Sequence, residues 1–265
     1  MNLSGTIQSG YGDVSICTSG DIISQTVAHT LNIDDTSEYF NTIVEPVTAI
    51  HGNNVLLESK NTQLTAAEIT ANNDITFHAD KDLIFDSIPI YKRINDIDNK
   101  SSFSSESLRW KGNTIHAGGN ISTQSGRDTI IEASITAGNN VNIKAQGNTQ
   151  LLSKEGYCKT HTHEKKKKKE FFGSSKKESV DDYCDVTYAR PHITAGKQLN
   201  IDAEKNVTLQ SAVLTAEKVK AHAEDKLIIQ SVTESHSESH SRSSKNALWQ
   251  SSKEKGSIDE KVLLP

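Results

Sequence analysis

The sequence is poor in large side chains and lacks the segments that several classes of protein need. Among 265 residues, aromatic side chains make up 5% and hydrophobic residues 34%, so a thick core of large side chains is not expected. No run of about 18 apolar residues occurs, which excludes a membrane-spanning helix. Three cysteines do not make a disulfide framework. A net charge of −5 argues against a general nucleic-acid coat protein, which would be basic.

The sequence contains an internal repeat with a period of 20 residues. Ile115 and Ile135 begin two successive units, and Ile193 and Val213 begin two more. Within each unit, apolar or small residues occupy every second position in three short runs. This alternation predicts β-strands, since a helix needs an apolar spacing of about 3.6 residues.

Glycine, asparagine and charged residues occupy the corners between the predicted strands. Gly118, Gly138 and Gly196 are interpreted as supplying the backbone angles of a tight turn. Acidic corner residues such as Asp74 and Asp128 are interpreted as solvating the surface.

Units of three strands cannot bury an apolar face alone and must stack on their neighbours. The sequence therefore predicts an all-β fold, a parallel β-helix with three-strand coils of 20 residues. Residues 1–232 are assigned to the β-helix, with hairpin-like excursions 87–112 and 153–190 that leave from one corner. Residues 233–265 form a tail rich in serine and charge, either disordered or a further excursion. The predicted core ladder consists of Ile69, Ala71, Ile75, Ile115, Ala117, Ile135, Ala137, Val141, Ile193, Ala195, Leu199 and Ala203.

The second excursion is the most unusual stretch of the chain. Residues 159–177 contain eight lysines and two glutamates in a chain that is acidic overall. Three interpretations stay open: a disordered charged loop, a basic patch for an anionic partner, or a hairpin that contacts another protein. The candidate residues for binding an anionic surface are Lys165, Lys166, Lys167, Lys168, Lys169, Lys176 and Lys177.

If this excursion is a hairpin, its apolar centre is the candidate tip. That centre consists of Phe171, Phe172 and Gly173. A hairpin that is symmetric about residue 171 would place Cys158 opposite Cys184, and the two could form a disulfide in an oxidising compartment.

Neither catalysis nor metal binding is predicted. Cys158, His161, His163, Cys184 and His192 are ligand types that suit zinc, but their spacing matches no zinc finger. The outward acids form no column beside a basic residue, as a polysaccharide-cleaving β-helix would need. No nucleophile elbow or phosphate loop occurs. We expect no catalytic residue, no cofactor and no metal.

With these residues in view, the chain resembles the haemagglutinin repeats of filamentous haemagglutinin-like exoproteins. The residues that carry the resemblance are ITAGNNVNIKA at 135–145, ITAGKQLNIDA at 193–203, IHAGGNI at 115–121 and the lysine run that ends in FFGSS at 171–175. Such exoproteins belong to two-partner secretion systems and include contact-dependent growth-inhibition toxins. The resemblance implies a right-handed β-helix, export through an outer-membrane transporter, and virulence roles in adhesion or as a stalk that presents a toxin.

The leading functional hypothesis is a non-catalytic repeat segment of a secreted or surface-bound bacterial adhesin or exotoxin stalk. Its expected partners are a target-cell receptor or glycan, the outer-membrane two-partner secretion transporter if it is exported, and other segments of a larger exoprotein. The alternative is a basic hairpin that binds an anionic glycan, a membrane surface or nucleic acid, although no specific nucleic acid is expected. A polysaccharide-active enzyme is the least favoured alternative. The resemblance also implies a far longer chain with an N-terminal secretion domain. Neither that domain nor a signal-peptide pattern at residues 1–5 is visible, so the chain is expected to be a fragment of a larger open reading frame or a degraded remnant.

Overall fold

The computed structural model describes residues 2–3, 5–26, 28–35, 37–44, 48–98, 100–170, 173–245 and 250–264. Every regular element in these ranges is a β-strand. Among these residues, no helix is long and apolar enough to cross a membrane.

The strands of the first half of the chain are β1 (Asn2–Leu3), β2 (Thr6–Gln8), β3 (Val14–Cys17), β4 (Ile22–Gln25), β5 (Ala28–Asp35), β6 (Ser37–Val44), β7 (Ala49–Gly52), β8 (Val55–Ser59), β9 (Thr62–Thr65), β10 (Glu68–Ala71), β11 (Ile75–Ala79), β12 (Leu83–Asp86), β13 (Ile88–Ile97), β14 (Ser101–Lys111), β15 (Asn113–Ala117) and β16 (Ile121–Ser125). Those of the second half are β17 (Thr129–Ile131), β18 (Ala133–Ala137), β19 (Asn140–Ala145), β20 (Thr149–Leu151), β21 (Lys154–Glu170), β22 (Gly173–Ala189), β23 (His192–Ala195), β24 (Gln198–Ala203), β25 (Asn206–Gln210), β26 (Val213–Thr215), β27 (Lys218–Ala223), β28 (Lys226–Gln230), β29 (Val232–Lys245) and β30 (Gln250–Leu264).

Three parallel sheets form the walls of a β-helix, and each coil gives one strand to each wall. The walls run β1-β4-β9-β12-β17-β20-β25-β28, β2-β7-β10-β15-β18-β23-β26 and β3-β8-β11-β16-β19-β24-β27. Successive coils pair in the register that the repeat predicts, so that Ile115 lies beside Ile135 and Ile135 beside Ile193. The predicted parallel β-helix is confirmed.

Small and β-branched side chains fill the interior of the coils. All twelve residues of the predicted core ladder are at most 3% exposed. The largest buried side chains are Phe77 and Phe85, whose rings meet edge to face with centroids 5.0 Å apart. Because most inward positions hold Ile, Leu, Val or Ala, the tube is filled without many aromatic residues.

The corner glycines allow close approach between coils. A Cβ added to Gly118, Gly138 or Gly196 would lie 2.0–2.2 Å from a carbonyl oxygen of the preceding coil. None of the three has a positive φ. The interpretation that these glycines supply unusual backbone angles is therefore wrong; they are needed because a side chain would push the stacked coils apart.

The acidic corner residues also accept hydrogen bonds from the next coil, in addition to contacting solvent. Asp74 accepts hydrogen bonds from the backbone and side-chain nitrogens of Asn120, at 2.6 and 3.1 Å, and Asn120 accepts in turn from Asn140. A second ladder passes from Asp128 through Asn148 to Asn206.

Asp82 at the same corner as Asp128 is held by a neighbouring cation. Its carboxylate accepts hydrogen bonds from the Arg127 guanidinium, which hold the pKa of Asp82 below its usual value. The corners therefore add side-chain hydrogen bonds between coils to those of the backbone.

Four hairpins leave the β-helix at one corner and pair into a single antiparallel sheet. They are β5–β6, β13–β14, β21–β22 and β29–β30, and the sheet order is β30-β29-β22-β21-β14-β13-β6-β5. Strands β13 and β14 lie within residues 87–112, and strands β21 and β22 lie within residues 153–190. The tail, left open between disorder and a further excursion, contains hairpin β29–β30, and the first hairpin was not anticipated from the sequence.

The hairpins fit together because two coils of the β-helix separate one from the next. Paired strands lie about 4.8 Å apart, so two coils advance by about 9.6 Å, which is also the width of two hairpin strands. The hairpins therefore meet edge to edge without a gap, and each pairs with its neighbour, as β14 with β21 and β22 with β29.

An ion pair between a partly exposed lysine and a buried carboxylate lies where the second and third hairpins leave the β-helix. The carboxylate of Glu132, which is 9% exposed, accepts a hydrogen bond from the Ser87 hydroxyl at 2.7 Å and lies 2.9 Å from Lys154 Nζ. The same Nζ lies 5.4 Å from the centre of the Trp110 ring. Residues of both hairpin roots thus converge on one carboxylate of the coil.

Replacing Ala203 by aspartate should destabilise the β-helix, because an unpaired charge would then lie inside the closed coil. We expect the free energy of unfolding, measured by urea titration with circular dichroism, to fall by more than about 3 kcal/mol. Thr194→Asp, at an exposed position of the same coil, is the control and should change it little. Equal effects of both changes would place Ala203 outside the core.

Replacing Lys154 by methionine should keep the packing against Trp110 but leave the Glu132 carboxylate without its cation. We expect a loss of about 2 kcal/mol in unfolding free energy at neutral pH. Lys144→Met, at an exposed position of β19, is the matched control. If both variants unfold at the same urea concentration, the ion pair does not stabilise the hairpin roots.

Candidate functional site

The hairpin sheet is the most distinctive surface of the molecule and carries the charged residues singled out in the sequence. Residues opposite one another on neighbouring strands point to the same face of a sheet. Face A is defined here by Asp181, Asp185, His236 and His240, and face B by His161, Lys167, Lys176 and Asp182.

Lysines face one another at the far end of the third hairpin. Lys166 lies opposite Lys177, and Lys167 lies opposite Lys176. On the next strand Lys245 lies opposite Lys176. Like charges directly across strands repel, so this arrangement destabilises the sheet unless something neutralises it.

We call these residues the basic end: Lys165, Lys166, Lys167, Lys176, Lys177 and Lys245. All six are exposed. Lys245 was not among the candidates from the sequence. It lies beside the other lysines only because β29 pairs with β22. Lys168 and Lys169 lie opposite Ser175 and Ser174 in the backbone register, and their side chains are outside the described residues.

Only two lysines of the basic end have a carboxylate partner among the described residues. Lys165 Nζ lies 3.6 Å from Glu178, and Lys166 Nζ lies 3.0 Å from Glu164. The other four make no ion pair with any described side chain, which leaves most of the positive charge free to meet an anion from outside.

The register of the third hairpin corrects the predicted disulfide. Cys158 lies opposite Asp185, and Cys184 lies opposite Lys159. The two cysteines are therefore on opposite faces, and both are free. The predicted pairing was wrong because the hairpin is symmetric about a point between residues 171 and 172 and not about residue 171. Glu170 lies opposite Gly173, while Phe171 and Phe172 of the predicted tip lie outside the described residues.

Strand β22 carries four carboxylates that bind histidines on both neighbouring strands. On face B, His161 and His163 of β21 lie 2.5 Å from Asp182 and Glu178. On face A, two histidines of β29 approach two aspartates of β22: His240 Nδ1 lies 2.6 Å from Asp181, and His236 Nδ1 contacts Asp185. These contacts connect the third hairpin internally and to the fourth.

Glu238 lies between the two face-A histidines. Its two oxygens lie 2.9 Å from His236 Nε2 and 3.4 Å from His240 Nε2. Hydrogen bonds to Asp185 and Glu238 raise the pKa of His236, and those to Asp181 and Glu238 raise the pKa of His240. The hydrogen bond from His236 lowers the pKa of Glu238.

These histidines do not converge on a common point. His236 and His240 contact different oxygens of one carboxylate, and across the described ranges no three His, Cys, Asp or Glu side chains are grouped as a metal site would need. The zinc-type residues weighed in the sequence are dispersed: Cys158 is on face A, His161, His163 and Cys184 are on face B, and His192 is on β23 of the β-helix.

A carboxylate also joins the second and third hairpins near their roots. Glu106 accepts hydrogen bonds from the hydroxyls of Tyr91 and Tyr157. These bonds lower the pKa of Glu106 and raise those of both tyrosines. The ring of Tyr91 meets Phe40 of the first hairpin edge to face, with centroids 5.3 Å apart. No local pattern in the sequence indicates these contacts, because the residues are far apart in the chain.

The pairing of the fourth hairpin with the third should weaken as pH rises. The histidine pKa values are raised in the folded protein, so their contribution is complete below the unfolded value of about 6.5 and is lost as pH rises through the folded value. Amide hydrogen exchange, corrected for intrinsic rates, should show less protection of residues 232–245 at alkaline than at mildly acidic pH.

The double variant His236→Gln and His240→Gln should remove this pH dependence. His222→Gln is the control, since His222 pairs with Asp202 on the β-helix at 2.9 Å and not between hairpins. A wild-type protein whose protection of β29 is the same at both pH values would contradict the role of these contacts.

Comparison with known proteins relates this architecture to a repeat family. Hemagglutinin repeats match residues 95–170 and 166–247, which include strand β14 of the second hairpin, the third hairpin and strand β29 of the fourth. The chain is 28% identical over 203 residues to a protein named Hemolysin from Proteus mirabilis. That match covers 68% of this chain and 12% of the hemolysin, so the chain spans a small part of its relative's length. No solved structure matches the chain.

The resemblance seen in the sequence is therefore confirmed by a match over more than half of the residues. The chain belongs to the hemagglutinin repeat family.

Proposed function

We propose that the chain is a non-catalytic segment of a larger exoprotein, secreted or held at the bacterial surface through a two-partner secretion system. In this proposal the β-helix is a stalk and the hairpin sheet is its contact surface. The observation that carries the proposal is the continuous antiparallel sheet, whose described strands pair only with one another and extend away from the stalk.

The length and chemistry of the hairpins support contact with a target-cell surface over a purely mechanical stalk. Strands β21 and β22 have 17 residues each, which extends the third hairpin about 55 Å from the β-helix. A stalk alone gains no stability from so long an extension. We propose adhesion to a receptor or glycan as the main role, with presentation of a toxin as the second.

The carboxylates of the sheet support a structural role over a catalytic one. Asp181, Asp182, Asp185 and Glu178 each contact a histidine of a neighbouring strand. A general acid or base must instead reach the substrate proton that it transfers. We therefore propose that these groups hold the hairpins together.

Shortening two hairpins at the same level should abolish binding to target cells while preserving the β-helix. In this variant a two-residue Asn-Gly turn replaces residues 160–183, joining Lys159 to Cys184, and a second replaces residues 238–258, joining Ser237 to Asp259. The register pairs both sets of flanking residues. Binding of the purified protein to cells is measured by flow cytometry, with circular dichroism and melting as the control for the β-helix. Undiminished binding would leave the protein with a stalk role only.

A second candidate function is binding of an anionic glycan, membrane surface or nucleic acid through the basic end. The specific observation that favours it is the row of lysines facing one another across β21, β22 and β29 with few carboxylates to neutralise them.

Such binding should weaken steeply between about 50 and about 300 mM salt, because each neutralised anionic group releases counterions. The measurement is a titration against heparin, anionic vesicles and duplex DNA, with the variant Lys176→Gln and Lys245→Gln as comparison. Adhesion to a neutral receptor would lose little affinity over this range. Binding that ignores both salt and the lysine changes would remove the basic end from the function.

A further inference from the structure

The basic end is a cavity as well as a charged edge. Its six lysines, from strands β21, β22 and β29, line a cavity of about 340 Å³ together with Ser243 and Glu178. Glu178, the one carboxylate in the lining, already lies 2.5 Å from His163 Nε2 and 3.6 Å from Lys165. The cavity therefore offers positive charge from several directions with little internal compensation.

The spacing of the lysines limits which anions can match them. Lys167, Lys176 and Lys245 lie on three successive strands, and side chains opposite one another have Cβ atoms about 5 Å apart. A ligand that neutralises the row must place successive negative charges about one strand spacing apart or closer. A single carboxylate cannot do this, and neither can a surface whose charges are widely spaced.

Lysine suits phosphate in particular. Its ammonium is a compact charge with three donors that can each approach a different oxygen. Phosphate groups that share a bridging oxygen carry their charges close enough together to reach neighbouring lysines of the row. The Ser243 hydroxyl adds an uncharged donor to the lining.

We propose that the basic end is a binding site for an anion that carries two or more phosphate groups in immediate succession. The inference rests on the anion-binding role proposed above and specifies its ligand chemistry. The phosphates can belong to a soluble molecule or to a phosphorylated lipid headgroup, and the site recognises the chemistry that both share.

Tripolyphosphate is the probe, and the full chain is used throughout. Isothermal titration at constant ionic strength should show binding of tripolyphosphate and at least tenfold weaker binding of orthophosphate. The variant Lys167→Gln and Lys176→Gln should bind tripolyphosphate about 25-fold more weakly, at about fivefold per lysine. The control Lys205→Gln and Lys226→Gln removes the same charge from exposed positions of the β-helix and should bind within about twofold of wild type.

The proposal fails if orthophosphate binds as well as tripolyphosphate, or if the control loses as much affinity as the basic-end variant. Vesicles of phosphatidylcholine with an anionic lipid form the second arm. Displacement of bound tripolyphosphate by vesicles carrying a multiply phosphorylated headgroup would support the site and identify a lipid source, whereas displacement only by soluble phosphates would support the soluble source. Vesicles with singly charged headgroups that bind in the absence of any tripolyphosphate binding would overturn this inference and leave the broader anion-binding role standing.

Discussion

One distance, the spacing between hydrogen-bonded strands, fixes both the β-helix and the sheet that extends from it. Coils advance by one strand spacing each, and hairpins occupy two. Hairpins that arise after every second coil therefore arrive at the right separation to pair, although their strands are antiparallel and those of the β-helix are parallel. The hairpin sheet needs no core of its own because the β-helix sets the position of every hairpin root. The ion pair of Glu132 with Lys154 and the hydrogen bonds of Glu106 strengthen these roots.

Charge is divided along strand β22 into two parts with different consequences. The part nearer the β-helix carries Asp181, Asp182 and Asp185, which are matched by histidines on one side or the other. The distant part carries Lys176 and Lys177, which face other lysines. The first part joins hairpins through opposite charges, whereas the second retains a repulsion that the neighbouring carboxylates relieve only in part. The repulsion at this exposed end lowers the stability of the free protein, and a bound anion would relieve it. This is the physical basis of the anion-binding role proposed above and of its specificity for adjacent phosphate groups.

The β-helix could be predicted because its signal is local and repeated. Ile115, Ile135 and Ile193 recur with the same neighbours, and alternation of inward residues needs no knowledge of distant contacts. The positions of two excursions followed from the interrupted period. What the sequence could not reveal was the pairing between excursions, because His236 and Asp185 are separated by 51 residues and share no pattern.

Smaller errors came from geometry that the sequence does not encode directly. A shift of half a residue in the centre of the third hairpin was enough to put Cys158 and Cys184 on opposite faces, since side chains alternate along a strand. The glycines were correctly placed at the corners, but they were interpreted as supplying turn angles. Their actual role is to let the corner approach the carbonyl oxygen of the preceding coil, and this contact exists only when the coils are stacked. Lys245 went unnoticed because the serine-rich tail around it resembled a disordered segment.

The two-to-one relation between coils and hairpins also restricts how a protein of this kind can change length. Duplicating or deleting a single coil between two hairpins would open a gap one strand wide, or force two hairpins into the same space. Backbone donors and acceptors on both sides of the gap would then lose their partners. Recombination that preserves the outer sheet must therefore exchange whole modules of two coils and one hairpin. Successive hairpins begin at Ile88, Lys154 and Val232, so the inherited unit is more than three times as long as the 20-residue repeat that the sequence displays.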